Sequence, residues 1–148
     1  MARRQWVDIR RKTDLGSQPL LGRVRWCASF MSRLRGLMFR SSIQPGEAIV
    51  LVEGRDSRAA VTIHMFFVPF TIATVWIDSS GHVVDKVAAR PWRPYYAPRA
   101  PARYILETHP EFLERVSIGD ELVFDDSPAA APAAAPAAGA SGAAAHLR

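Results

Sequence analysis

The sequence predicts an α+β domain that is mostly β: a compact, barrel-like antiparallel or mixed sheet of about seven to eight short strands with one or two short helices. Three observations predict it. Apolar side chains recur at a period near two along most of the chain before Ser127, the spacing that puts alternate side chains on one face of a strand. Gly, Pro and Asp-Ser clusters cut these runs into short pieces, as turns do between strands. Helical spacing is clear in one stretch alone, between Ser29 and Met38.

Arg4 to Arg10 and Leu20 to Cys27 read as the first two strands, with Val24 and Trp26 on one face and Arg23 and Arg25 on the other. Asp14-Leu15-Gly16-Ser17 suits a hairpin between them. From Ser29 to Met38, a serine N-cap precedes Phe30, Leu34, Leu37 and Met38. That spacing predicts a helix of about two to three turns, weakened by Gly36. Ala48 to Glu53, Ala60 to Phe67 and Thr71 to Asp78 are apolar runs read as strands, and Asp78-Ser79-Ser80-Gly81 turns the last of them into a return strand, His82 to Ala88. Arg90 to Pro101 packs four prolines into twelve residues, so it must be a loop. Arg103 to Thr108 is a further strand, Pro110 to Arg115 one helical turn, and Glu121 to Phe124 a last strand after the Gly119-Asp120 turn.

A chain of 148 residues suits one domain with one core, assigned here to residues 4–126. Residues 127–148 carry almost no side chain larger than alanine until His146, and Pro128, Pro132 and Pro136 interrupt any helix. Such a segment buries too little area to offset its ordering entropy, so a disordered Ala/Pro-rich tail is expected. The apolar fraction of 49% and charged fraction of 22% exclude disorder of the whole chain. A single cysteine, Cys27, rules out an intramolecular disulfide and a structural zinc cluster and fits a cytoplasmic setting. No run approaches the roughly 20 apolar residues of a membrane span, so membrane insertion is not expected.

The net charge of +5 conceals an asymmetry. Residues 1–40 carry ten Lys or Arg against Asp8 and Asp14, whereas residues 41–127 carry eight basic and twelve acidic side chains. A basic first third suits nucleic acid or another anionic surface; the alternative is a solvated strand face in an arginine-rich chain.

Several motifs, in order, resemble one family, the domain of unknown function 192 (DUF192). Arg33-Leu34-Arg35-Gly36-Leu37-Met38-Phe39-Arg40 resembles its R-x-x-G-L-M-x-R helix, and Gly46-Glu47-Ala48-Ile49-Val50-Leu51-Val52 the strand after it. Ile63-His64-Met65-Phe66-Phe67 is similar to the family's I-H-T-F opening, followed by Val75-Trp76-Ile77-Asp78 and Gly81-His82-Val83-Val84. Arg90-Pro91-Trp92-Arg93, Tyr104-Ile105-Leu106-Glu107 and Ile118-Gly119-Asp120-Glu121-Leu122 resemble its P-W-R, V-L-E and G-D-x-L elements. The resemblance implies a compact β-rich fold and no established enzyme activity. The chain departs from the M-x-x-P-[LI]-D pattern: Val68 stands at the methionine, Pro69 displaces the proline, and Ala73 stands at the aspartate. Any activity that this aspartate carries in relatives is therefore not expected here unchanged.

The candidate surface combines the Arg33 to Arg40 helix with the proline-rich loop: Arg33, Trp92, Arg93 and Tyr95, with His64 and Glu107 as polar contributors. Arginine offers a planar fork to a carboxylate or phosphate and the aromatic rings offer stacking faces, which suits a small anionic or aromatic ligand or a peptide. In the competing reading, Trp92 plugs the end of the barrel and Arg93 pairs with Glu107. His64, with Thr62 and Phe66 as neighbours at strand period, reads as a hydrogen-bonded core histidine, and the alternative makes it and Glu107 an acid–base pair. No catalytic residue, metal site or cofactor is assigned: His64, His82 and His109 match no helix-borne zinc spacing. Cys27, at the end of an apolar strand, is read as structural.

Overall fold

The computed structural model describes residues 4–29 and 36–128. Arg33 with most of the expected Ser29 to Met38 helix, and the Ala/Pro-rich stretch from residue 129 onward, lie outside the described residues. Seven strands, β1 (Trp6–Thr13), β2 (Gly16–Cys27), β3 (Ala48–Ser57), β4 (Ile72–Ile77), β5 (Val83–Ala89), β6 (Ala102–Thr108) and β7 (Leu122–Asp126), form one sheet in the order β5-β4-β6-β3-β2-β1-β7. Neighbours run antiparallel except β2 and β3, which pair in parallel through Arg25 to Cys27 and Ile49 to Leu51. A 3-10 turn, Pro110–Glu114, follows β6 and packs Phe112 into the core; the His109 side chain caps it by accepting the Glu111 N–H.

No continuous ladder closes the sheet, yet it curls until its two edges meet at one end. His82 bridges Glu121, the Val83 N–H donates to the Asp120 carbonyl at 2.9 Å, and the Leu122 N–H donates to Gly81 at 2.7 Å. The shape is barrel-like for that reason. Gly81 sits at this seam with φ +90°, and a Cβ built on it would lie 2.5 Å from the Leu122 carbonyl oxygen. Gly81→Ala is therefore expected to cost about 2 kcal/mol, from the left-handed backbone and the displaced seam together. Urea unfolding checks it; a loss under about 0.5 kcal/mol would mean that the seam gives way freely.

Strand alternation divides the buried side chains between two faces. The inner face holds Val7, Ile9, Val24, Val50, Ala73, Val75, Leu106 and Leu122 among others. The outer face of β3, β4 and β6 carries Ile49, Leu51, Ile72, Trp76 and Ile105, and it too is buried, beneath Leu37, Ile43, Val61, Ile63, Met65 and Val68. Every residue of β4 is buried in consequence. Cys27 belongs to this second cluster and is fully buried. Ala73, at the departure from the family pattern, lies in the inner cluster, where a methyl group fills apolar space.

Ala60 to Phe67 does not form the expected strand. It crosses the outer face as an extended strap with one isolated bridge, Ile63 to Tyr96. Its period of two is genuine, since Val61, Ile63 and Met65 are buried while Phe66 and Phe67 are exposed, but it serves to cover a sheet instead of joining one. The Trp76 indole N–H donates to the Val61 carbonyl at 2.8 Å and fixes which residues face down.

The fold answers part of the charge asymmetry, pairing four of the ten basic side chains of residues 1–40 with acids. Arg4 pairs with Asp126 at 2.6 Å, Arg11 with Asp120 at 3.1 Å, Lys12 with Glu121 at 2.8 Å, and Arg40 with Glu47. Arg10 reaches Ser17, and Arg25 donates to the Gly36 carbonyl. Basic side chains near the N-terminus thus answer acids at the other end of the domain.

Candidate functional site

Between the outer sheet face and its cover lies a cavity of about 330 Å³. Leu51 and Glu53 of β3 and Ile105 and Glu107 of β6 form its floor, while Leu37, Met38, Ile63, Met65 and Val68 supply apolar walls. Ala60, Thr62 and His64 complete the lining from the strap. Gaps of this kind arise because the cover is irregular backbone held by a few hydrogen bonds, whereas the floor is a rigid ladder. The strap is zipped to the proline-rich loop on one side, with Ile63 and Tyr96 exchanging two 2.9 Å bonds and the Met65 N–H donating to Arg93 at 2.7 Å. On its other side, the Phe39 N–H donates to the Phe67 carbonyl at 2.9 Å.

Glu107 is the unusual member of the lining. It lies in β6, midway across the sheet, between Ile49 of β3 and Thr74 of β4, and is 6% exposed. No described residue forms a hydrogen bond or ion pair with its carboxyl group. Burial alone pushes its pKa up to about 7, because nothing offsets the cost of moving a charge out of water. Beside it, the Thr74 hydroxyl is fully buried and has no partner, and directly paired residues of antiparallel strands hold their β-carbons about 5 Å apart. One face of the central strands thus holds a carboxyl group that opens onto the cavity beside a buried hydroxyl with no partner among the described residues.

His64 and Glu107, paired in the sequence reading, line this same cavity. His64 is not the expected core histidine: Val61, Ile63 and Met65 take the inward positions, and His64 is exposed on the strap. Its Nδ1 accepts the Phe66 N–H at 3.2 Å, which leaves Nε2 to carry the proton of the neutral ring. Trp92, Arg93 and Tyr95 stand outside the cavity lining. Trp92 is 53% exposed and packs edge-on against Phe67 at 5.4 Å, with Phe67 stacked on Phe39 at 5.0 Å. All three rings rise from backbone with positive φ, 62° at Trp92, 60° at Phe67 and 64° at Phe39, a conformation uncommon for bulky residues. Tyr95 is 67% exposed, and Arg93 forms no ion pair with Glu107. Arg33 cannot be placed on either surface, being outside the described residues.

The sequence reading passed over Glu53, Thr62 and Thr74. Thr74 had one available signal, as the single hydroxyl in the otherwise apolar run from Ile72 to Ile77. Glu53 follows the apolar run of β3 and looks like an ordinary strand end. The imidazoles of His64, His82 and His109 do not converge with acids or Cys27: among the described residues no three His, Cys, Asp or Glu side chains form a group fit for a metal ion.

Residues 12–124 match the model of the family DUF192, described as Uncharacterized ACR, COG1430. A UPF0127 protein of Thermococcus sibiricus is 39% identical over 103 residues, which are 68% of this chain and 65% of that protein. A UPF0127 protein of Thermococcus kodakarensis is 41% identical over 86 residues, 58% of this chain and 53% of its own length. The chain therefore spans between about half and two-thirds of these relatives. Among solved structures, a Sinorhizobium meliloti protein titled "putative transcription regulator" superposes with a TM-score of 0.68 at 22% identity, over 83% of this chain and 98% of that one. A protein of unknown function from Novosphingobium aromaticivorans superposes with a TM-score of 0.64 at 14% identity, over 79% of this chain and 84% of that one. At these identities the likeness is one of fold.

Proposed function

Since this chain belongs to the DUF192 family, whose description names no activity, we propose from its own geometry that it is a non-catalytic binding module holding a small molecule in the strap cavity. The observation that carries the reading is the pocket itself, about 330 Å³ with mostly apolar walls and, on its floor, a buried carboxyl group with no partner among the described residues. Ligand sites combine a largely apolar surface with a few convergent polar groups and range from about 300 to 1,000 Å³. The exposed rings of Trp92, Phe67 and Phe39 lie on the far side of the strap and belong to a separate surface.

Benzyl alcohol, a small apolar probe with one polar end, tests the site. Titration is expected to shift amide resonances of Leu51, Ile63 and Ile105 saturably, while Ala60→Trp, which plugs the lining from an exposed position, weakens the probe at least fivefold with the melting temperature nearly unchanged. Equal affinity in the plugged variant would place the probe elsewhere and sink the reading.

An acid–base enzyme is the second reading, favoured by one observation: His64 and Glu107 share the cavity, and a carboxyl group titrating near 7 is matched to proton transfer at neutral pH. Against it, the described lining offers no thiol, and its one hydroxyl, that of Thr62, already donates to the Arg58 carbonyl. A nucleic-acid role through the basic first third has less support, because four of those cations are answered by acids of this same chain. Any such affinity would fall steeply with added salt.

A further inference from the structure

Glu107 poses a problem that the binding reading leaves open. A carboxyl group at the centre of a sheet, 6% exposed and unpartnered among the described residues, is costly when ionised. The same holds in smaller measure for the adjoining Thr74 hydroxyl, buried without a partner. A fold that needed only packing at these two paired positions would be served by aliphatic side chains, as Ile49 serves on the other side of Glu107. The carboxyl group also lines a cavity, so its missing partner has somewhere to come from.

The lining sets the chemistry of that partner. Its ionisable groups are Glu107, Glu53 and His64, and no described residue places a Lys or Arg there. Among the described residues an anion would meet the buried Glu107 and no Lys or Arg, whereas an ammonium group would meet a carboxylate. The remaining walls, Leu37, Met38, Leu51, Ile63, Met65, Val68 and Ile105, ask for an apolar body. At about 30 Å³ for each water-sized unit, the space takes on the order of ten non-hydrogen atoms.

Resting on the binding reading above, we propose that the cavity is a site for a small organic amine, its ammonium group paired with Glu107 and its apolar body against the strap. Ionising Glu107 and pairing it occur together: the ligand supplies the positive charge that no described residue of the lining provides. The neighbours facing Glu107 are Ile49 on β3 and Thr74 on β4, with Glu53 and His64 as the other titratable groups of the cavity.

Benzylamine, benzyl alcohol and benzoate share one body and differ in the head group, so calorimetric or NMR titration of the full chain with all three separates the terms. At about pH 8, where Glu107 is ionised and an alkyl amine is still protonated, benzylamine is expected to bind at least tenfold tighter than benzyl alcohol, and benzoate weakest. At about pH 5.5 the preference for the amine should shrink to a few-fold. Glu107→Gln should bring amine and alcohol within threefold of each other at both pH values, and an amide spectrum close to that of the unaltered protein away from the cavity shows that the variant is folded. Equal binding of amine and alcohol by the unaltered protein at pH 8, or a preference that survives Glu107→Gln, overturns the amine site but leaves the binding module standing. Tightest binding of benzoate overturns it in favour of an anion site, and failure of all three removes the binding reading as well.

Discussion

Trp76→Ala is expected to remove about 3–5 kcal/mol of folding stability, a large part of the roughly 5–15 kcal/mol that a domain of this size possesses. The side chain is 1% exposed, lies on the outer face of β4, and packs with Ile72, Ile105 and the strap residues Val61 and Ile63. Its loss creates a void under a cover that has few other ties to the sheet, and leaves the Val61 carbonyl without the indole N–H. Trp76→Phe isolates the second effect: it keeps an aromatic ring but no donor, and should cost about 1–3 kcal/mol. Urea unfolding of both variants decides it. Equal costs would mean that the hydrogen bond, not the packing, holds the strap down, and a Trp76→Ala loss under about 1.5 kcal/mol would mean that the strap is not anchored there.

The second large effect is one of pH and comes from Glu107. Its carboxyl group titrates at about 7 in the folded chain against an ordinary 4.5 when unfolded. The folded state therefore holds the proton more tightly, so this stabilising contribution is complete below about pH 4.5, declines as pH rises, and is gone above about pH 7. The gap between the two values corresponds to about 3 kcal/mol. Glu107→Gln, which is neutral throughout, should lack the decline, so the stability of the unaltered protein relative to the variant falls by about 3 kcal/mol between pH 4 and pH 8. Other acids shift both curves alike, which makes the difference the informative quantity. Parallel curves would show that Glu107 finds a partner in solution and ionises normally.

How far the sequence could take the reader differs between the sheet and the site. Turn chemistry placed β4 and β5 around Asp78 to Gly81, where the Asp78 Oδ1 accepts the Ser80 and His82 N–H groups; such signals are local, and local signals survive in a sequence. The strap misled because alternation reports that one side of an extended segment is buried, not whether its backbone bonds to a ladder. His64 was assigned inward for the same reason, since the phase of alternation is set by the Trp76 indole on a distant strand. The residue order offers Glu107 as a surface contributor, a partner of Arg93 or an acid–base partner of His64, but its neighbours Ile49 and Thr74 arrive from strands far apart in sequence. The cavity, being space between non-local elements, leaves no mark in the residue order at all. Chemical type alone groups Trp92, Arg93 and Tyr95 in one surface with His64 and Glu107, and the fold leaves the three outside the cavity lining.

The seating of β1 between β2 and β7 also bears on how the chain emerges from the ribosome. The β1–β2 hairpin is complete after Cys27, but the strand that covers the other side of β1 begins at Leu122, and at about 5–20 residues per second the interval lasts on the order of ten seconds. Throughout it, β1 offers a row of open N–H and C=O groups to any passing strand. Arg10, Arg11 and Lys12 lie along that open edge, and clustered positive charge on a strand edge repels a second copy of itself. The acidic partners of Arg11 and Lys12, Asp120 and Glu121, are made only late in the chain. The charge of Arg11 and Lys12 along this edge is therefore unanswered until the last strand docks.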